Sequence, residues 1–346
     1  MVATLAMALL FLTLSALWWA SGDQFPPWLP VAFLVCYVTF FCATGINNLA
    51  FGTLQGKIIH ATRRGRLLLT GNVIGAVTAI LAAILLLPRW LTADGGKFEM
   101  IFGLSGICFV VAALVTLFVI EPRDNFRERD RGVRHLFATA WGVVRDDLNF
   151  RRLAWVAMAF SSSLVLFPHY QALGRSDRLS LSFDNLIMWV VIQNAGTAVF
   201  SLGIGPIADR RGNRAVIRLI MAGIGMMPIT AILLSHWESW GATLYPAIFL
   251  FIGLTPVGFK AMSNYTLEIC EPSDHPRYLS TLGLCYAGPL LFSPLMGWLV
   301  EVTSFEAGFI AVTLIVMVGF GLTFRLTEPR RLIEDALPST AVPEDD

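Results

Sequence analysis

The 346-residue chain is 56% hydrophobic and only 14% charged, with a formal net charge of +1 and a mean hydropathy of +0.68. A soluble chain carries roughly 25% charged residues, so there are too few here to clothe the two or so water-soluble domains that this length would form. The surface must face lipid, and the near-neutral balance of dispersed basic residues excludes a nucleic-acid footprint.

Taken in chain order, apolar runs of about 20 residues lie near 2–20, 29–49, 67–91, 98–120, 153–173, 184–206, 215–236, 243–262, 279–300 and 306–327. Each is long enough to cross the ~30 Å hydrocarbon core as a helix. The expectation is therefore an all-α membrane protein of about ten transmembrane helices. The first run could be a signal peptide cut near Ala20-Ser21-Gly22, but Met1-Val2-Ala3-Thr4 supplies no basic leader and the run is long for that role. Glu121 to Arg152 forms the longest polar stretch. Within it Leu136, Ala140, Val144 and Leu148 recur every fourth residue beside Trp141, the pattern of an amphipathic helix on a membrane surface. The tail beyond Glu328 turns polar and acidic and reads as disordered.

Lys and Arg set the orientation. With residue 1 inside, 21 of the 25 basic residues fall in inner segments, leaving Arg89, Lys97, Arg175 and Arg178 outside. Both termini are expected in the cytoplasm. Cys36, Cys42, Cys108, Cys270 and Cys285 are odd in number and form no CxxC pair, so they read as small buried hydrophobes rather than a disulfide or zinc framework. The five histidines (His60, His135, His169, His236, His275) are scattered over different segments. No nucleophile–base cluster, metal site or P-loop is visible, so neither an enzyme nor a cofactor is expected.

The loop after the sixth run reads Gly205-Pro206-Ile207-Ala208-Asp209-Arg210-Arg211-Gly212-Asn213-Arg214. Gly212 permits a tight turn, Gly205 lets helices approach, and Asp209 can pair with Arg210 or Arg214 or face a helix N-terminus. This G-x-x-x-D-R-x-G-x-R segment resembles the signature of the major facilitator superfamily of secondary transporters. The resemblance implies that Gly205, Asp209, Arg210, Gly212 and Arg214 form a conformational latch that closes the cytoplasmic side, with Asp209 near residues 66–72. It also implies two homologous six-helix halves. Arg63-Arg64-Gly65-Arg66-Leu67-Leu68 is echoed by Asp274-His275-Pro276-Arg277-Tyr278-Leu279 at an offset of 211 residues. That offset would place a first copy of the signature just before Met1, so the chain is expected to lack the family's first two helices. The expected organisation is an incomplete N-terminal half over 1–121 (four helices), a central cytoplasmic loop over 122–152, a complete C-terminal half over 153–327 (six helices) and a tail over 328–346.

Polar side chains inside spans point to a cavity or to helix–helix hydrogen bonds. Candidates are Asn47 and Asn48 with Thr44 and Gln55, then Ser161-Ser162-Ser163 with His169 and Tyr170. Gln193, Asn194, Thr197 and Ser201 follow with Trp189, and then Lys260, Asn264 and Tyr265. By the resemblance these lie on family helices four, seven, eight and ten, which line the central cavity; the cavity candidates are Asn47, Asn48, His169, Tyr170, Gln193, Asn194 and Thr197. Lys260, near the expected inner end of its span, reads as a snorkelling lysine. No carboxylate stands mid-span, which gives proton coupling no visible carrier. The leading expectation is alternating-access transport of a small solute, with or without a coupling ion, by a monomer surrounded by plasma (inner) membrane lipid. A non-transporting scaffold or inactive remnant is the alternative.

Overall fold

The computed structural model describes residues 1–22, 26–60, 63–92, 95–120, 132–181 and 185–328. The loop residues 121–131, Asp184 and the tail 329–346 lie outside them. Apart from a two-residue hairpin that pairs Leu91 with Gly96, the regular structure of the described residues is helical. The helices are α1 (Val2–Ser21), α2 (Leu29–Ile58), α3 (Arg64–Leu85), α4 (Leu87–Trp90), α5 (Phe98–Thr116), α6 (Val133–Asp146), α7 (Leu148–Ser162) and α8 (Phe167–Gly174). They continue as α9 (Asn185–Arg211), α10 (Asn213–Ser235), α11 (Gly241–Leu244), α12 (Ala247–Ile252), α13 (Leu254–Ile269), α14 (His275–Leu290), α15 (Ser293–Val302) and α16 (Phe305–Thr323). Among the described residues, ten helical segments are long and apolar enough to cross a membrane. The chain divides into two compact units, Met1–Ile59 with Val77–Arg129 and His60–Ala76 with Asp130–Asp346.

In the first unit α1 packs along α5. Gly106 and Gly103 admit Leu12 and Ser15 against the α5 backbone, and Ser15 Oγ donates to the Glu99 carbonyl at 2.7 Å. Phe11 meets Phe40 edge-on at 4.8 Å and lies 5.8 Å from Phe109, joining α1, α2 and α5 through ring contacts worth about 0.5–1.5 kcal/mol each beyond area burial.

The core of the second unit gathers Phe150, Phe160, Tyr170, Trp189, Ile217, Met221, Tyr245 and Phe309, all nearly inaccessible. The amphipathic helix is present as α6, but its stripe is split. Ala140 and Val143 are buried, Phe137 and Trp141 are exposed, and Leu148 opens α7 instead of continuing α6. Asp147 makes that break. Its extended backbone ends α6, its Oδ1 accepts from the Phe150 amide at 2.9 Å, and its Oδ2 accepts from the Tyr278 hydroxyl at 3.0 Å. Asp147→Ala is expected to cost about 1–2 kcal/mol through the lost cap, read as a lower unfolding midpoint in detergent. Asp147→Asn should lose less, and equal midpoints for the two variants would remove the capping role.

Candidate functional site

Two layers of polar contacts occupy the second unit. The first lies at the arginine-rich helix ends. Helix α9 stops at Arg211, Gly212 adopts φ +81°, and α10 starts at Asn213. That left-handed backbone suits glycine, and a Cβ there would also meet Glu328 Oε1 at 2.3 Å. One turn earlier, Asp209 Oδ1 accepts from the Gly65 amide at 3.0 Å, and its Oδ2 lies 3.9 Å from Arg66 Nε. Asp209 thus meets the first turn of α3, where orphan amides and the helix dipole favour a carboxylate. The expected partners within the motif behave otherwise. Arg210 is exposed, and Arg214 donates to the Leu326 carbonyl at 2.9 Å. Glycines make the approach possible: a Cβ on Gly65 would stand 2.3 Å from Asp209 Oδ1, and one on Gly205 3.0 Å from Leu69 Cβ.

The second layer lies deeper in the spans. Asn72 Nδ2 donates to Ser201 Oγ at 2.9 Å, and Lys260 Nζ donates to Asn72 Oδ1. At 1.5 Å per residue, Asn72 stands about 12 Å from the start of α3, Ser201 about 15 Å from the end of α9, and Lys260 about 13 Å from the end of α13. The three share one depth, about a third of the way along spans of 25–29 residues. Lys260 therefore directs its ammonium sideways to Asn72 on α3. Among the described residues no carboxylate lies within ion-pair distance of it.

Above this triad the polar stripe of α9 runs along α12 and α13. Trp189 stacks on Phe249 at 4.5 Å, and a Cβ on Gly196 would fall 2.0 Å from the Leu250 carbonyl oxygen. A Cβ on Gly253 would fall 2.4 Å from the Thr197 amide nitrogen, so backbone rests on backbone. Thr197 is buried and donates to the Gln193 carbonyl at 3.2 Å. Gln193 is half-buried, and Asn194 donates to the Val190 carbonyl.

The remaining candidates are drawn elsewhere. Tyr170 lies inside the core against Phe309, its carbonyl accepting from the Tyr245 hydroxyl at 2.7 Å. His169 Nδ1 sits 3.1 Å from the Val165 carbonyl. Ser162 and Ser163 satisfy carbonyls of their own turn, and Ser161 donates to Tyr286. In the first unit Asn47 Oδ1 accepts from Thr4 Oγ1 at 2.9 Å, tying α2 to α1, and Asn48 is exposed. Asn72 is the polar centre that sequence reasoning missed; a lone amide among aliphatic residues of the third span was the available signal.

Between the α13 and α14 spans, Cys270 donates to the Thr266 carbonyl. Burial, then the charges of Asp274 and Asp147, pushes its thiol up to about 12. The thiolate fraction at neutral pH is then about a thousandfold below that of an ordinary thiol, offset in part by higher nucleophilicity. Maleimide labelling of Cys270 should run about 50-fold slower than that of an exposed cysteine and accelerate with each step up in pH. Equal rates for the two thiols would remove the buried assignment.

No curated protein matches the chain in sequence. Among solved structures, an outward-facing bacterial homologue of the iron transporter ferroportin superposes with a TM-score of 0.64 at 12% identity, over 94% of this chain and 80% of that one. The E. coli fucose:proton symporter FucP gives 0.67 at 10% identity, over 94% and 84%. The human organic anion transporter MFSD10 (TETRAN) gives 0.64 at 17%, over 92% and 76%. The profile of the Major Facilitator Superfamily matches residues 1–259 and 172–343. With the Asp209 turn, ten apolar helices and this profile in agreement, the chain belongs to the Major Facilitator Superfamily, whose members are membrane transporters.

Proposed function

We propose that the protein moves a small solute across the plasma (inner) membrane by alternating access, with its arginine-rich helix ends and both termini in the cytoplasm. The observation that carries this reading is the pair of contact layers between α3 and α9: Gly65 N–H to Asp209 at the helix ends and Asn72 to Ser201 deeper in the spans. Together they seal one end of the second unit with bonds that can be exchanged rather than with a continuous apolar seam. Gly205, Asp209 and Gly212 form the latch proper, while Arg210 and Arg214 keep the adjoining turn basic. In this reading 122–152 links a first half ending near 121 to the six-helix half 153–327.

The cargo of the fold's other members varies, as the iron, fucose and organic anion named above illustrate, so this chain's own polar groups must select its solute. Gln193, Asn194 and Thr197 on α9 are the candidate contacts in the second unit, and Asn47, Asn48 and His169 are candidates beyond that stripe.

The test uses the full chain, stripped of its five native cysteines and carrying Ser201→Cys, in proteoliposomes. A membrane-impermeant maleimide added on the side of the arginine-rich ends should label residue 201 slowly, and Asp209→Asn should speed the labelling. Labelling from that side that is fast at the outset, or unmoved by Asp209→Asn, would overturn the gate.

A further inference from the structure

We infer that the solute is an organic anion, and that its carboxylate takes the place of the Asn72 side-chain oxygen on the Lys260 ammonium. The inference rests on the transport reading above and adds the chemical class of the cargo.

Three observations lead to it. Lys260 lies within its span beside α3 and is linked through Asn72 to Ser201 of α9. An ammonium carries three donors and no acceptor, and one of them is spent on Asn72. Among the described residues no other hydrogen bond or ion pair engages it, and no carboxylate stands near enough to balance its charge. On the α3 side Gly71 presents only a hydrogen to it, so that flank carries no side chain; a Cβ at that position would come into ordinary contact with Nζ at 3.8 Å. Lys260 itself remains exposed within the protein.

A neutral amide oxygen satisfies one donor and none of the charge. A carboxylate satisfies the charge and offers two oxygens, one to the donor that Asn72 now takes and one to an idle donor, and charge-assisted bonds of this kind are about twice as strong as neutral ones. A sugar or another neutral solute would leave the cation uncompensated in a low-dielectric setting, where intramembrane ionisable residues persist because they serve a pathway. The exchange has a mechanical result. An anion that captures Lys260 removes the donor from Asn72, so α13 lets go of α3 and the deeper layer of the gate loosens only when cargo is present. Ser201 keeps Asn72 in place as the competitor, ready to recapture the ammonium once the anion leaves.

The test uses the full chain in proteoliposomes and detergent, with benzoate, lactate and succinate against benzamide, lactamide and succinamide as matched probes. At least one carboxylate should bind and be taken up in preference to its amide. Lys260→Gln should weaken that binding about tenfold or more, the range for hydrogen bonds to charged groups, whereas Lys260→Arg should retain most of it. Asn72→Ala removes the competitor and should tighten carboxylate binding several-fold, a change that a merely structural amide would not produce. A folded state for each variant is checked by its unfolding transition, and the arginine variant keeps the test open if glutamine disturbs folding. Carboxylate binding that is absent for all three probes, or indifferent to Lys260→Gln, overturns the inference. If the amides are then carried, the transport reading survives without the charge assignment. If nothing is carried and residue 201 keeps fixed accessibility, both fall.

Discussion

Gly196→Ala is expected to be among the most damaging single-methyl changes in the second unit. The added Cβ would lie 2.0 Å from the Leu250 carbonyl oxygen and 2.9 Å from its carbon. Backbone cannot swing aside as a side-chain tip can, so α9 and α12 must part. Overpacking typically costs about 1–3 kcal/mol, and an obstacle made of backbone places this site at the upper end. The same separation would pull Ser201 from Asn72, so transport should fall along with the unfolding midpoint. Gly253→Ala faces the Thr197 nitrogen at 2.4 Å from the other side of the crossing. Once the helices have parted for one methyl the second finds room, so the double variant should lose less than the sum of the singles. Gly203→Ala is the control: its Cβ would meet nothing within 4 Å, and alanine favours a helix by about 0.8–1 kcal/mol over glycine. Equal midpoints for Gly196→Ala and Gly203→Ala would show the crossing to be looser than described.

Asp209→Asn should shift the gate without unfolding the protein. The Gly65 amide can still donate to the asparagine oxygen, so shape is kept and charge is lost. What disappears is the dipole interaction with α3, about 0.3–1 kcal/mol and up to ~2 in a partly buried setting. The Asp209 carboxylate is only 16% exposed, which favours the larger figure. Arg66 is 81% exposed, so its ion pair adds little. A change of about 1–2 kcal/mol moves a two-state equilibrium roughly 5- to 30-fold, enough to multiply the labelling rate of Ser201→Cys and to depress uptake. Gly65→Ala should reproduce the effect from the uncharged side, since its methyl would sit 2.3 Å from the Asp209 oxygen. An Asp209→Asn protein with unchanged labelling and uptake would sink the latch.

The spans were legible because lipid imposes one strong rule, internally bonded backbone inside an apolar run, and hydropathy reads it directly. The ends were less legible for the same reason. The eighth span, expected to stop at residue 262, runs to Ile269 because its later polar groups are satisfied by partners distant in sequence. The Tyr265 hydroxyl donates to the Thr327 carbonyl at 2.6 Å and lies 3.1 Å from Asn149 Oδ1. Those seven extra residues put Lys260 nine residues from the end of α13 instead of at its edge. The glycine–aspartate turn announced itself through five specified residues, whereas its partner on α3 emerged from the family resemblance and not from local pattern. Asn72 stayed hidden because one amide barely moves a hydropathy average. Tyr170 misled because a tyrosine near polar neighbours reads alike whether its ring meets a cavity or Phe309.

Helix α9 runs unbroken from Asn185 to Arg211, held near its middle where Gly196 bears on Leu250. A rod borne most tightly at that crossing can act as a lever about it. Asp209 lies thirteen residues beyond the support, about 20 Å along the axis, so a tilt of about 10° sweeps it by about 3.5 Å, more than the length of a hydrogen bond. Leverage also works in reverse: the 3.0 Å contact at Gly65 restrains the opposite arm, which carries Trp189, Gln193 and Asn194. Fastening the far end therefore sets the aim of side chains roughly 25 Å away.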